Sequence, residues 1–265
     1  MEKVGVRSVT TNQDGLYKNL ETVVRKYATT AFLRPVASHT QEAFEEACKT
    51  VANFKTADVT SAAAVTATNS ANGTAANSAN DTAAQVVLDS GCGTGESTLH
   101  LARKFPGIPV LGLDKSAVRL SHSKETRSKG EPSEAVPANA FWLRAELLDF
   151  WKLALEKVRA GEWHIPYHAL YYPNPWPKQS EATRRFHLHP VFPTFMELGD
   201  VIELRTNWEI YAREFEAAAR LWASIAGKSA DIACESFVPN APETAFERKY
   251  NEARQQLWRV VVIKR

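Results

Sequence analysis

The sequence predicts an α/β protein with a mostly parallel, doubly wound sheet. Short apolar runs alternate with amphipathic stretches from residue 86 onwards, as they do in successive β-α units. The first run leads directly into a glycine-rich loop at 91–95, and the second run ends in the acidic residue Asp114. Glycines and an acid at these two places are typical of sheets that bind a ligand beyond the carboxyl ends of their strands.

Six apolar runs have the length of strands, and three stretches between them have the period of helices. The predicted strands span 86–90, 110–114, 141–145, 168–172, 201–205 and 259–263. The predicted helices lie around 98–105, 147–158 and 208–222, where apolar side chains recur every three or four residues. We expect the fourth strand to lie beside the first, where the strand order of such a sheet reverses.

The N-terminal third of the chain has a different composition. Between residues 56 and 85, 24 of the 30 residues are Ala, Thr, Asn or Ser. Such a segment buries too little apolar surface to offset its ordering entropy, so we predict a flexible low-complexity insert at 56–84. Ser38 and Gln41 form a capping-box pattern, and a second short helix is expected at 18–26. The sequence thus predicts an N-terminal helical extension at 1–55 and a main domain at 85–265.

The composition excludes several classes of protein. Of 265 residues, 44% are hydrophobic and 23% are charged, which is ordinary for a globular chain. The net charge of +2 means that a polyanion must bind a local patch. Three cysteines without a CxxC pair predict neither a disulfide framework nor a metal site, and no apolar run reaches the roughly 18 residues of a membrane span. We expect a cytoplasmic protein, with nuclear or organellar location and oligomeric state left open.

The glycine loop follows the first strand and precedes a helix. Asp89 stands just ahead of it, and Gly91, Gly93 and Gly95 alternate with other residues. Dinucleotide-binding loops have the wider spacing GxGxxG, which cradles a pyrophosphate. The shorter spacing is similar to the loop of class I methyltransferases that binds S-adenosylmethionine, and Asp89 suits the ammonium group of that ligand. A nicotinamide-dependent dehydrogenase is disfavoured by this spacing.

Two further acids are candidates for the ligand site. Asp114 closes the second strand, where a carboxylate can accept hydrogen bonds from both hydroxyls of a ribose. The alternative is a helix cap, for which Ser116 is a rival. Glu146 follows the third strand and is expected either on the adenine side of the pocket or at the first turn of a helix.

The fourth strand is followed by a proline-rich loop at 173–178 (PNPWPK). Three prolines fix the backbone and remove donors, so this segment must be a rigid loop rather than a strand or helix. Asn174 and Trp176 are therefore expected beside the methyl donor, with Trp176 able to stack on a base. A basic cluster follows the loop and is expected either to contact RNA phosphates or to be a solvated face. Its members include Lys178, Arg184 and Arg185.

Four motifs resemble, in order and spacing, those of the tRNA guanine-N7 methyltransferase family. They are the glycine loop, the proline-rich loop, residues 206–208 (TNW) with Tyr211, and residues 244–247 (TAFE). The resemblance covers about residues 85–265. It implies a Rossmann-like class I methyltransferase fold with an antiparallel C-terminal strand, S-adenosylmethionine as cofactor and tRNA as partner.

The resemblance also implies roles for individual residues. Asp89 and Asp114 match cofactor-contacting acids, and Asn174 falls on the active-site Asp, which makes it the implied catalytic residue. Substrate contact is implied for four further residues, which are Lys178, Asn207, Thr244 and Glu247. The chain departs from the family where Asn stands at 174 and 207 and where Ala145, followed by Glu146, matches an acid. These departures indicate a divergent branch.

Two alternatives to guanine-N7 methylation stay open. Guanine N7 has a lone pair and no proton, so transfer to it needs alignment more than a general base. The segment from Asn174 to Trp176 is also similar to the Asn-Pro-Pro-aromatic motif of enzymes that methylate exocyclic amines, although here only one proline follows the Asn. A catalytically inactive RNA-binding relative is the second alternative, because Asn replaces acids at two positions.

Overall fold

The protein has a seven-stranded sheet in a computed structural model that describes residues 8–62, 83–122 and 136–265. The strands are β1 (Ala84–Gln85), β2 (Val87–Ser90), β3 (Val110–Asp114), β4 (Ala140–Arg144), β5 (Trp163–His164), β6 (Tyr167–Tyr171), β7 (Val201–Thr206), β8 (Ala230–Phe237) and β9 (Leu257–Lys264). The sheet order is β4-β3-β2-β6-β7-β9-β8. The first five strands in this order are parallel, and β9 runs antiparallel to both of its neighbours. The predicted Rossmann-like fold class is therefore confirmed.

Helices cover both faces of the sheet. They are α1 (Leu20–Ala28), α2 (Ser38–Ala62), α3 (Glu96–Lys104), α4 (Leu147–Arg159), α5 (Phe192–Glu197), α6 (Glu209–Ile225) and α7 (Ala245–Glu252). Residues 117–122 are also helical. None of the helices in the described ranges is long and apolar enough to span a membrane.

The N-terminal helices share the main hydrophobic core. Leu20 and Val24 of α1, and Phe44 and Val51 of α2, are buried in the same apolar cluster as the strands. They bury their apolar faces there because neither helix has a core of its own. Helix α2 extends through Ala62, so the first residues of the predicted insert are helical, and residues 63–82 lie outside the described part of the chain.

The strand order reverses between β2 and β6, which are the first and fourth strands predicted from the sequence. Strands β2 and β6 pair in parallel, with Leu88 opposite His168. The chain enters β2 from the short strand β1, which pairs with β5 in a separate two-stranded sheet. After β2 the chain continues to β3 on one side, and after β6 it continues to β7 on the other, so a crevice lies between the loops that follow the two strands.

Strand β8 was not among the strands predicted from the sequence. Its residues alternate between half-buried and exposed positions at the edge of the sheet, and Asp231 and Glu235 point to solvent. An edge strand with one solvent-exposed face carries fewer large apolar residues than a central parallel strand, which is buried on both faces. β8 therefore lacks the run of apolar residues from which the other strands were predicted.

Candidate functional site

A cavity of about 640 Å³ opens at the carboxyl ends of β2, β3 and β6. It brings together residues from motifs that are far apart in the sequence. The predicted site residues that line it are Gly91, Asp114, Glu146, Asn174, Trp176 and Arg184. The remaining predicted site residues lie outside this lining, and they are Asp89, Gly93, Gly95, Lys178, Arg185, Asn207, Thr244 and Glu247.

The glycine loop depends on glycine for two different reasons. Gly93 and Gly95 both have positive φ, of 59° and 82°. A Cβ on Gly95 would lie 2.0 Å from Nε1 of Trp142, so the third glycine is needed for close packing against β4. A Cβ on Gly93 would meet nothing within 4 Å. The loop is thus packed tightly at one end and open at the other.

We expect Gly95→Ala to destabilise the fold by about 2–4 kcal/mol, because it adds overpacking to left-handed strain. Gly93→Ala is the matched control, since it carries the same backbone strain of about 1–2 kcal/mol without the clash. Urea denaturation of the two variants measures the difference. Equal unfolding free energies would show that the contact with Trp142 does not set the requirement at position 95.

Asp89 braces the helix that follows the loop. Its Oδ2 accepts hydrogen bonds from Ser97 at 2.7 Å and from Thr98 at 2.6 Å, both in the first turn of α3. Its buried Oδ1 has no hydrogen-bond partner among the described residues. Asp89 pairs with Gly112, two residues before Asp114, so the two acids point to the same face of the sheet.

We expect Asp89→Asn to raise the free energy of unfolding at pH 7. Burial raises the pKa of Asp89 from 3.8 to about 6, so the folded protein binds this proton more tightly than the unfolded chain. The stability that Asp89 contributes is present below about pH 4 and is lost as pH rises through 6, by at most about 3 kcal/mol. Asn keeps an acceptor for Ser97 and Thr98 and carries no charge.

The difference in unfolding free energy between Asp89→Asn and the wild type should therefore shrink as pH falls from 7 to 4. Burial also lowers the pKa of His168, to about 3, which destabilises the folded state as pH falls below 6.5. That effect is common to both proteins and cancels in the difference. A difference that stays constant over this pH range would contradict the raised pKa of Asp89.

Asp114 at the end of β3 and Glu146 just after β4 both reach the cavity. Asp114 Oδ2 accepts from the Gly93 amide at 3.1 Å, and Oδ1 accepts from the Ser116 amide at 2.8 Å. Ser116 in turn caps the helical residues 117–122 through Arg119, so Asp114 is not the cap. Glu146 occupies the N-cap position of α4, but its side chain makes no capping bond. Its carboxylate thus stays available to a ligand.

The proline-rich loop has the rigid geometry that its prolines predict. Asn174 Oδ1 accepts a hydrogen bond from the Trp176 amide at 3.3 Å, and Trp176 has a positive φ of 45°. The guanidinium of Arg184 lies 4.1 Å from the centre of the Trp176 ring. Lys178 is exposed at the end of the loop. Asn174, Trp176 and Arg184 therefore form one wall of the cavity.

Arg185 has a different position from the one expected of a substrate-binding cation. Its side chain is fully buried, donates to Glu214 Oε2 at 2.6 Å and to the Trp176 carbonyl at 2.9 Å, and also donates to Gln13. All of its polar contacts are internal, so Arg185 holds the proline-rich loop in place and does not present a charge to RNA. The expectation of direct substrate contact is corrected on this ground.

Glu214 joins this buried network from α6. It accepts from His187 at 2.9 Å and, through its other oxygen, from the Tyr17 amide at 2.7 Å. Burial by itself raises the pKa of Glu214, but the hydrogen bond from His187 and the charge of Arg185 lower it to about 2. The network therefore ties the N-terminal segment to the proline-rich loop.

The remaining predicted residues build the neighbouring wall rather than the cavity itself. Thr244 caps α7 by accepting from the Glu247 amide at 2.9 Å. Glu247 is buried and binds Arg205 at 3.1 Å through both oxygens. Asn207 donates to Gln255 at 3.0 Å. These contacts fix α7 against β7, beside the mouth of the cavity.

Arg205 lies at the centre of that wall and was not predicted as a site residue from the sequence. Arg205 binds three carboxylates, those of Glu203, Glu243 and Glu247, and lies 4.4 Å from the ring centre of Tyr171. The signal was present, because Glu203 and Arg205 alternate in a strand that is otherwise apolar. Charges two residues apart share one face of a strand, which predicts an ion pair there. Arg205 itself does not line the cavity, and no binding role was predicted for the lining residues Arg34, Lys115, Arg119 and Tyr172.

Comparison with known proteins assigns the family. Residues 83–260 match a family model described as "Putative methyltransferase". The chain belongs to the tRNA (guanine-N7-)-methyltransferase family. A relative in Mycolicibacterium gilvum, named tRNA (guanine-N(7)-)-methyltransferase, is 29% identical over 177 residues, which are 62% of each chain. The match thus spans less than two thirds of that relative.

A second relative with the same name, from Halorhodospira halophila, is 30% identical over 179 residues, covering 62% of this chain and 68% of that one. Among solved structures, a 16S rRNA methyltransferase, KamB, covers 70% of this chain and 91% of its own at 16% identity, with a TM-score of 0.47. At that score the likeness supports no conclusion about function.

Proposed function

We propose that this family member is an S-adenosylmethionine-dependent RNA methyltransferase that methylates N7 of a guanine in tRNA. One observation carries the proposal beyond family membership. Two acids, Asp114 and Glu146, and Asn174 of the proline-rich loop lie 28 to 60 residues apart in the sequence and line a single cavity. An enzyme that transfers a methyl group from a cofactor to a nucleobase must hold the two side by side, so it needs cofactor-binding acids and a base-binding loop in one cavity.

The residues that line the cavity, and those of the glycine loop next to it, fit the proposed cofactor. Asp114 and Glu146 supply carboxylate acceptors for ribose and adenine, and Asp89 has an unpartnered buried oxygen next to the loop. Gly93 leaves open space where a side chain would otherwise stand. When bound, S-adenosylmethionine supplies an electrophilic methyl group on a sulfonium sulfur. These residues hold and orient that group, and none of them has to remove a proton from guanine N7.

Asn174 offers hydrogen-bonding groups that suit guanine. Its Nδ2 can donate to guanine O6, the neighbour of N7, while Oδ1 accepts from the Trp176 amide and keeps a second lone pair. That second lone pair would also suit an exocyclic amine, so nucleoside analysis decides between the two. The rigid loop holds this donor, and most of the catalytic effect is then expected from alignment, worth roughly 7–11 kcal/mol in well-oriented reactions.

Cations around the cavity suit the phosphates of an RNA. Arg34, Lys115, Arg119 and Arg184 all line it, and Lys178 is exposed nearby. Three of the arginines pair with acids, Arg119 with Asp114 itself, but each keeps 45–58% of its side chain exposed to solvent. Phosphate contacts of this kind position a nucleic acid. Arg184 covers one face of the Trp176 ring, and the opposite face is the one that an unpaired base would stack on. This local patch provides the positive charge that the overall charge of +2 does not.

The test is incubation with methyl-labelled S-adenosylmethionine and tRNA, followed by digestion and analysis of the nucleosides. We expect label in 7-methylguanosine. Label in N6-methyladenosine would favour the exocyclic-amine alternative. RNA binding without cofactor binding, measured by calorimetry, would favour the inactive RNA-binding relative.

Asn174→Asp is expected to retain the transfer rate or to raise it up to about fivefold. A carboxylate gives up the Nδ2 donor to guanine O6, but it stabilises the cationic methylated base better than an amide dipole, for a net gain of up to about 1 kcal/mol. Asn207→Asp is the matched control, because it restores the other family acid at a residue outside the cavity lining, and it should change the rate little. Complete loss of guanine methylation in Asn174→Asp would contradict the proposed role of position 174.

A further inference from the structure

An aromatic row leads from the cavity to the protein surface. Tyr172 lines the cavity, and its ring centre lies 5.6 Å from that of Tyr250 on α7. Tyr250 in turn stacks on Phe246, with ring centres 6.1 Å apart and planes 24° apart. Phe246 is 48% exposed, so the row ends in an aromatic face open to solvent.

Stabilisation of α7 does not account for the exposed ring. Phe246 and Tyr250 stand four residues apart, and such a pair is worth only about 0.2–0.5 kcal/mol to a helix. The helix is already anchored by the Thr244 cap and by the bond between Glu247 and Arg205. Neither the helix nor its anchors therefore require a large ring at position 246.

The charges around the row suit a nucleic acid. Lys249 and Arg254 are exposed on and just after α7, with Glu252 as the one exposed acid between them. Arg248 is held by Glu96 at the start of α3, which fixes α7 over the glycine loop. An aromatic face bordered by cations is the usual platform for an unpaired base, since every base can stack on it while the cations meet the backbone.

We propose that Phe246 and Tyr250 form a stacking subsite for an unpaired nucleobase next to the target nucleotide. This inference rests on the proposed RNA substrate. The row begins at Tyr172 inside the cavity, so a nucleotide whose base enters the cavity places a neighbouring base over Phe246. The subsite selects substrates whose target lies in an unpaired segment, because a base within a duplex has no free face to offer.

The experiment compares Phe246→Ala with Phe246→Trp and with Ile263→Ala, a matched control that truncates a 45%-exposed residue on β9. Affinity is measured for a tRNA transcript and for a fully paired RNA duplex, and cofactor affinity is measured by calorimetry. We expect Phe246→Ala to weaken tRNA binding by about tenfold, within the 5- to 150-fold that stacking on one base supplies. Phe246→Trp and Ile263→Ala should bind as the wild type does, and cofactor and duplex affinities should not change.

Measurements of tRNA affinity and of methyl transfer test the stacking subsite and the proposed function independently. Unchanged tRNA affinity in Phe246→Ala, in a protein that methylates tRNA, overturns the subsite and leaves the function. Weakened tRNA affinity in a protein that transfers no methyl group supports the subsite and overturns the function. Equal weakening for the duplex, or a wild type that binds no RNA, overturns the subsite.

Discussion

Arg185→Ala should lower the free energy of unfolding by about 3–5 kcal/mol, the cost of leaving a buried charge without its partner. Glu214 is fully buried and ionised, and Arg185 is its closest cation, at 2.6 Å. The substitution also removes the donor that holds the Trp176 carbonyl. We therefore expect the proline-rich loop to lose its fixed geometry together with global stability. Urea denaturation measures the loss.

Arg184→Ala is the matched control for this prediction. Arg184 is the preceding residue and carries the same charge, but its side chain is 58% exposed and its partner Glu181 is also at the surface. An exposed pair of this kind contributes about 0–1 kcal/mol. If the two alanine variants unfold at the same urea concentration, the buried network is not what holds the loop.

Asp114→Ala should weaken cofactor binding by at least about a hundredfold, because the ribose hydroxyls would lose both acceptors at a cost of about 3 kcal/mol. The same change removes the acceptor for the Gly93 amide, so the glycine loop also loses a contact. Calorimetric titration with S-adenosylmethionine measures the effect. Asp114→Asn keeps one acceptor and should lie between the wild type and the alanine variant.

Asp231→Ala serves as the control for removal of one acid. Asp231 is exposed on the edge strand β8, where it binds Arg265. Its loss should leave cofactor affinity within experimental error of the wild type. Cofactor binding by Asp114→Ala at wild-type affinity would remove Asp114 from the site.

The sequence predicted the central part of the fold and the site because both are built from local patterns. The strand that ends at Asp114 has the predicted bounds, and the loops after β2 and β6 meet as the parallel arrangement requires. Glu146, one place after the strand-end position that matches the family acid, reaches the cavity, while Ala145 is buried. The spacing of apolar residues that distinguishes strands from helices is visible within short stretches of sequence, so these features could be predicted.

Contacts between distant parts of the chain could not be predicted in this way. Arg184 and Arg185 are equivalent in the sequence, and only the position of Glu214, 29 residues away, decides which one turns inward. Gln13 joins the same network from 172 residues away, and Arg34 reaches the cavity from the N-terminal extension. No local pattern of charge or hydrophobicity marks either residue, because their roles depend on tertiary packing.

The most direct measurement is a crystal structure of the protein with S-adenosylhomocysteine and a guanosine-containing RNA. Our account predicts the adenosine between Asp114 and Glu146, and guanine N7 facing the sulfur beside Asn174. A ligand bound elsewhere, such as in the second cavity of about 500 Å³ between residues 27–33 and α4, would contradict it.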